Sequence, residues 1–260
     1  MISNDQFSDF ASTIRSHTLE QLYLQDHLKI GQSGHLSSYY APFEAINSMA
    51  QVIFVGICPG KAQWQHAIEV AKTGLESNIP PATLLQKIKA ESAFRGPMRR
   101  NIVQMLDYVG LQHKLGIETS QQLFEKNQHL LHSTSALRHC ILNKGQNYNG
   151  STPNMLRNEF LQQHIHSFLI PEIQQLSSSA VYIPMGLSVA QVLHYLSSLG
   201  YLNEGQILDG FPHPSGANSE RIQYFLGQKT PAQLSKTTNA YKIDQEKINL
   251  SNKIRNLEFK

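Results

Sequence analysis

The sequence predicts an α/β fold, a three-layer α/β/α sandwich around a central, mostly parallel sheet of four strands. Two observations carry this. Val52-Ile53-Phe54-Val55 is a short continuous apolar run that ends at Gly56, the pattern of a strand buried on both faces. Stretches of helical period then alternate with three more strand candidates, and such alternation gives a parallel sheet covered on both sides. At 260 residues and 40% hydrophobic content, the chain is large enough for one such domain with extensions.

Taken in order, residues 5–30 read as an amphipathic helix with Phe7, Phe10, Ile14, Leu22 and Leu28 on one side. Residues 1–40 form an N-terminal helical extension, and GQSGHLSS within it reads as a loop. After the first strand, residues 61–92 are a helix-prone insertion interrupted at Asn78-Ile79-Pro80-Pro81, a candidate lid or side wall. Pro97–Val109 presents Met98, Ile102, Met105, Leu106 and Val109 to a core. Ser133–Leu142 is the second strand candidate. Asn154–Leu169 is helical, and Pro171 is expected to stop it. Ala180–Pro184 is the third strand, Ser188–Ser198 a helix with Val189, Val192, Leu193 and Leu196 inward, and Gln206–Phe211 the fourth strand. The tail from 228 to 260 is polar and ends in a helix marked by Ile243, Ile254 and Leu257. All of this reads as a single domain.

Composition narrows the chemistry. The formal net charge of +3 permits a nucleic-acid partner without demanding one. The 12 histidines are scattered, without zinc-ligand spacing. Two cysteines, Cys58 and Cys140, are too few for a cysteine-ligated zinc site or iron–sulfur cluster. The first residues lack the apolar core of a secretion signal, and no run of 18 apolar residues occurs. The expectation is a cytoplasmic protein of a reducing compartment, with no metal, no cofactor and no membrane partner.

Two loops carry the functional signal. Gly56-Ile57-Cys58-Pro59-Gly60 follows the first strand, where glycines allow a tight bend and close backbone approach while the proline stiffens the turn. Ligands of open parallel sheets bind beyond the carboxyl ends of strands. An ordinary strand-to-helix turn has the same spacing. The second loop, Phe211-Pro212-His213-Pro214-Ser215-Gly216-Ala217-Asn218, follows the last strand candidate. Its prolines restrict the backbone on either side of His213 and so aim its imidazole, and small residues form the tip. A surface loop could look the same.

Together, GICPG and HPSGAN in this order resemble the uracil-DNA glycosylase superfamily, most closely its mismatch-specific and single-strand-selective branches. Between them, AFRGPMRRNIVQMLDYVGL and STSALRHCIL resemble two further segments of that family, so the likeness spans about residues 40–227. The resemblance implies a monofunctional, monomeric DNA glycosylase that flips a uracil-like or modified base out of DNA and excises it, leaving an abasic site. It gives His213 the role of donor to the leaving base and Gly56, Ile57, Pro59 and Gly60 that of cradling the base. It further implies that Phe94 stacks on the base and that Ser135 reads its edge. The tip residues Pro214, Ser215, Gly216 and Asn218 would meet the DNA, with Arg221, Arg99, Arg95 and Arg100 beside the loops as phosphate partners. No lysine lies in either loop tip to form a Schiff base; Lys61 is the nearest.

Four departures qualify the likeness, one being that two cysteines rule out the iron–sulfur cluster of some branches. Relatives carry Asp or Asn at the position of Cys58, or Glu at that of Ile57, to orient the attacking water; this chain has neither. Cys58 reads either as a member of the catalytic set or as a small buried residue, since an unperturbed thiol is mostly protonated at neutral pH. Where uracil-preferring relatives place an Asn to read the base, this chain has Ser135, and the nearby GQNYNG offers Asn147, Tyr148 and Asn149 as replacements; Asn147 is the favoured one and is grouped with His213 and Cys58 as a catalytic candidate, while Asn149-Gly150 also reads as a turn. The insertion at 61–92, if it lines the pocket, would either admit a base larger than uracil or exclude normal ones. These departures favour an altered or hypermodified base, including those of some phage genomes, which would make the role defence against viruses. A DNA-binding module that has lost catalysis is the alternative.

Overall fold

The computed structural model describes residues 6–24, 26–94 and 96–259. The chain begins with helices α1 (Phe7–Ser16) and α2 (Leu19–Leu24), then strands β1 (Lys29–Ser33), β2 (Leu36–Tyr39) and β3 (Val52–Gly56). Helices α3 (Lys61–Glu76), α4 (Pro81–Ser92), α5 (Pro97–Tyr108) and α6 (Leu111–Lys114) follow. Next come β4 (Leu131–Ser135), β5 (Cys140–Asn143) and β6 (Gln146–Asn147), then α7 (Glu159–His164) and α8 (Ile170–Ile173). Strand β7 (Val181–Pro184) and helices α9 (Leu187–Ser198), α10 (Ser219–Phe225) and α11 (Ala240–Arg255) complete the chain.

The fold is α/β. A three-stranded sheet has the order β4-β3-β7, and β3 pairs with β7 in parallel, Val52 opposite Val181 and Val55 opposite Pro184. The fourth parallel strand expected at Gln206–Phe211 does not form. It is reduced to one parallel bridge between Ile207 and Tyr182, with Leu208 N–H donating to Tyr182 O at 2.8 Å. The sequence explains this: Gly210 takes φ +106°, outside the strand region, and Pro212 has no N–H for a ladder.

A second sheet, antiparallel and ordered β1-β2-β5-β6, was not expected. Its first strands are polar (KIGQS and LSSY) and resemble loop in composition. Gly34, at φ +55°, supplies the left-handed conformation that joins β1 to β2. The candidate strand Ser133–Leu142 is in fact two strands, β4 and β5, in different sheets.

The chain divides into two compact units. One comprises the residues up to Ile46, Gly56–Ala93 and Ser133–Gln175; the other comprises Asn47–Val55, Phe94–His132 and the residues from Leu176 onward.

In the first unit the expected helix over 5–30 is broken. Thr18 Oγ1 accepts from Gln21 N–H at 3.3 Å, and Gln21 Oε1 accepts from Thr18 N–H at 2.9 Å. This reciprocal cap starts α2 afresh, and the chain turns to strand by Lys29. The 61–92 segment breaks at the expected prolines, but it is core rather than lid. Trp64, Ala67, Ile68, Ala71, Leu84 and Ile88 are buried with Phe7, Ile14, Leu22 and Tyr40. Helices α3 and α4 cross so closely that a Cβ on Gly74 would lie 2.2 Å from Leu84 Cδ1. The helix expected from Asn154 starts at Glu159, where Asn158 Oδ1 caps Leu161 N–H at 3.1 Å. Pro171 does not stop it. A π-turn over Ile165–Leu169 precedes α8, and the proline sits in the first turn of α8, where a missing N–H costs nothing.

In the second unit, α5 and α9 fall within a residue or two of their expected bounds, burying Ile102, Met105 and Leu106, and Val189, Val192, Leu193 and Leu196. The expected tail helix forms with Ile243 and Ile254 buried, joined by Leu250; Leu257 lies beyond its end and is half-buried. Glu220 holds the chain before it, accepting from Ser235 N–H and Oγ at 3.0 and 2.7 Å. No helix among the described residues is long and apolar enough to cross a membrane.

Candidate functional site

The predicted site residues fall into two groups, one in each unit. In the first unit the loop Gly56–Gly60 is built by its neighbours. Ala136 N–H donates to Gly56 O at 2.8 Å and Leu137 N–H to Ile57 O at 2.9 Å, so the chain just past β4 fixes the start of the loop. Ser135, half-buried, ends that strand. The far end of the loop is held by Asn147. Its Oδ1 accepts from Lys61 N–H at 2.8 Å, satisfying a first-turn amide of α3 that the helix itself leaves open. Gly60 is the residue on which Asn147 closes; a Cβ there would meet its side-chain amide at 3.5 Å. Asn147 reaches this position because Lys144 and Gly145, at φ +52° and +73°, make the tight turn between β5 and β6. With Oδ1 committed, the Nδ2 of this exposed residue remains available as a donor. Asn149, by contrast, makes a local turn, its Oδ1 accepting from Ser151 and Thr152 N–H at 3.0 and 3.1 Å.

Within this loop Pro59 is buried and Ile57 and Cys58 are half-buried. The Cys58 thiol is pushed up to about 12 by its apolar surroundings, against which a hydrogen bond from the Ile141 backbone works. It is therefore a thiol, not a thiolate, at neutral pH, and has no capacity to activate water.

In the second unit His213 is held as its flanking prolines suggest. Its Nδ1 accepts from Ser215 N–H at 3.2 Å. An accepting Nδ1 carries no proton, so the neutral ring bears its proton on Nε2. Burial lowers the pKa from 6.5, which keeps the ring neutral at pH 7. One face of the imidazole is set by Gly186. A Cβ on Gly186 would lie 3.3 Å from both Cβ and Cδ2 of His213, and its φ of +101° is open to glycine alone. Sequence reading missed Gly186. Its signal is local, a glycine between the end of β7 and the start of α9.

The rest of the loop is tied down in turn. Asn101 Nδ2 donates to Pro214 O at 2.8 Å, and Asn218 Nδ2 donates to Ser215 Oγ at 3.1 Å. Arg221 donates to Asn218 Oδ1 at 3.1 Å while remaining exposed. Gly216 and Ala217 form the exposed tip.

Phe94 is 9% exposed and meets Phe54 edge to face, ring centroids 5.9 Å apart. Its φ of +48° is rare for a bulky side chain, and strain of this kind gathers at functional sites. Arg99 donates from Nε to Phe94 O at 3.2 Å and lies over the Phe124 ring at 4.4 Å. Arg100 is exposed, and Arg95 lies outside the described residues.

Sequence reading also missed a buried charge cluster in the first unit. Arg138 donates from its guanidinium to Glu172 Oε2 at 2.8 Å, and Lys89 Nζ lies 3.5 Å from Glu172 Oε1. Nearby, Glu44 Oε1 accepts from Tyr40 OH at 2.6 Å while Oε2 is buried without a partner. Burial raises this carboxyl to about 7, the range in which a group both takes up and gives up a proton. Among the described residues, no group of three or more His, Cys, Asp or Glu side chains is arranged to hold a metal ion.

The uncharacterized protein YoxB of Bacillus subtilis (strain 168) is 32% identical to this chain over 228 residues, which cover 86% of this chain and 88% of that protein. No protein-family model matches the chain, and no solved structure matches it.

Proposed function

The chain belongs to the family of YoxB, and for this member we propose the activity of a monofunctional DNA glycosylase that excises a uracil-like or modified base. On this reading the parallel strands are the reduced core of a uracil-DNA glycosylase-like three-layer sandwich. A nucleotide is turned out of the DNA, at a cost of a few kcal/mol in unstacking. The oxygen of water then bonds to the sugar C1′ as the N-glycosidic bond breaks. The bonding pair leaves with the base as an anion, the water proton passes to solvent, and an abasic site remains.

The observation that carries this reading is the fixed tautomer of His213. A departing base anion needs a donor that is neutral, oriented and present before the charge develops. Nε2–H is such a donor, because Nδ1 is committed to Ser215 N–H. A preorganised donor of this kind contributes about 2.7–4 kcal/mol to lowering the barrier. By the family resemblance, loop Gly56–Gly60 has the role of cradling the base and the amide of Asn147 that of reading its edge; the same resemblance gives the ring of Phe94 a stacking role. The exposed tip at Gly216-Ala217 meets the DNA. The protein acts as a monomer in the cytoplasm, without metal or cofactor. The absence of a carboxylate at Ile57 and Cys58 directs the activity toward a lesion or a hypermodified base, and in the latter case toward defence against phage.

One observation favours a second reading, a DNA-binding module without catalysis: the Cys58 thiol is protonated at neutral pH, and the family resemblance assigns to this residue the position at which relatives orient water. Base release separates the two. Purified protein is incubated with single- and double-stranded DNA carrying uracil, hypoxanthine, xanthine or 5-substituted pyrimidines, and with glucosylated phage DNA; free bases are measured by mass spectrometry. Release of one base that His213→Ala reduces by about 100-fold or more, with DNA binding retained, is the expected result. DNA binding without release from any substrate establishes the second reading.

A further inference from the structure

The segment expected as a fourth strand has little backbone pairing, yet it leads directly to His213. Its backbone ties lie at Ile207 and Leu208, on Tyr182. Beyond them side chains take over, and His194 of α9 is central. Its Nδ1 lies 2.8 Å from Glu204 Oε1, and its Nε2 lies 3.0 Å from Asp209 Oδ2. Asp209 is shared: Lys253 of α11 donates to its Oδ1 at 2.8 Å and to Ile207 O at 2.9 Å. Directly after Asp209, Gly210 passes so close to α11 that a Cβ would lie 2.9 Å from Glu246 O.

A neutral imidazole has one N–H, so it can donate to one carboxylate and must turn a lone pair toward the other. With both nitrogens at hydrogen-bond distance from carboxylate oxygens, the arrangement is satisfied only by the doubly protonated ring. We propose that His194 is a positioning residue: as imidazolium it clamps Glu204 and Asp209, and through them holds the segment leading to His213 on α9 and α11. Loss of one proton breaks one of the two contacts and loosens that segment. The inference stands on the geometry of the second unit and does not depend on the glycosylase reading.

The charged groups around His194 set the sign. Glu204 and Asp209 face it directly; Lys253 opposes them from α11; Glu246, on the same helix and partnered by Lys242, adds negative charge near Asp209. Burial alone would lower the pKa of His194, but the two carboxylates outweigh it and raise it above 6.5. The clamp is closed below that raised value and opens as pH climbs through it.

The test follows the His194 ring by nitrogen chemical shift, and the amide protection of residues 207–215 by hydrogen exchange corrected for intrinsic rates, over about pH 5–8. Expected are a His194 midpoint above 6.5 and protection that falls about tenfold, the factor set by 1.4 kcal/mol, as the ring loses its proton. In His194→Gln the protection is low throughout and independent of pH. Glu204→Gln, at an exposed carboxylate, keeps the fold and lowers the midpoint, which covers the case in which His194→Gln does not fold. A midpoint at or below 6.5, protection unchanged across the titration, or the same pH dependence in His194→Gln overturns the proposal.

Discussion

Glu172→Gln should unsettle the first unit far more than its conservative shape suggests. Glu172 is 1% exposed and Arg138 4%. The carboxylate accepts from Arg138 at 2.8 and 3.2 Å and faces Lys89 at 3.5 Å. An amide keeps the volume but removes the charge. The buried Arg138 and the half-buried Lys89 are then left with Glu44, a carboxyl raised to about 7, as a nearby acidic group. Breaking one side of a buried ion pair costs about 3–5 kcal/mol, because the remaining charge has left water without compensation. In a chain of this size that is a fall in Tm on the order of 10 °C. Two consequences follow from position. Glu44 acquires uncompensated cations nearby, so its pKa should fall from about 7. Arg138 follows Leu137, whose N–H holds Ile57 O, so the Leu137 amide should exchange faster with solvent. The assay is urea unfolding with exchange measured under native conditions. The control is Arg138→Met with Glu172→Met, which removes both charges; Lys89 retains Ala45 O at 2.6 Å as a partner, and such replacements are often neutral or stabilising. A loss below about 1 kcal/mol for Glu172→Gln, the value of a surface pair, would refute the reasoning, as would an equal loss in the double variant.

Three further outcomes are expected. Burial holds His164 at about 4 in the folded chain, against 6.5 ordinarily. The unfolded chain thus takes up a proton first, stability is lost as pH falls from 6.5 toward 4, and His164→Phe should flatten that slope in urea titrations at successive pH values. Gly186→Ala forces a Cβ to within 3.3 Å of His213 in a backbone conformation costing about 1–3 kcal/mol; base release should drop together with Tm, and an unchanged His213 ring shift would show that the glycine does not set the ring. Phe94→Ala should weaken productive DNA binding by about 1–3 kcal/mol if the ring stacks on a base, measured as the KM for base release; unchanged release removes Phe94 from the site.

How far the sequence disclosed all this depended on whether the signal was local. β3 and α9 were legible because each has a continuous or helically spaced apolar pattern within a dozen residues. β1 and β2 were not, because a strand stabilised by its neighbours in an antiparallel sheet tolerates Ser, Gly and Gln. The break before α2 was legible in principle: Thr18 and Gln21 have capping-box spacing. Arg138 and Glu172 stand 34 residues apart in sequence. Nothing near either marks it as buried, since an isolated Arg or Glu is ordinarily a surface charge.

The candidate site divides along the same line. The prolines around His213 announce a restricted histidine, but they do not say which nitrogen carries the proton. That depends on Ser215 folding back to offer its N–H, and on Gly186 giving the ring room. The first comes from a tight turn within the loop, the second from a residue 27 positions upstream. Likewise GICPG is visible as a bend, whereas its closure by Asn147 spans 86 residues. Chemistry-bearing side chains are thus readable from their own loops, while the contacts that give each a direction depend on how the loop folds back, as at Ser215, or on residues elsewhere in its unit, as at Gly186 and Asn147. A variant that spares His213 but alters Gly186 is for that reason a useful complement to removal of the histidine itself: it keeps the imidazole and disturbs the backbone against which the ring is set, and its loss of base release is read against its fall in Tm.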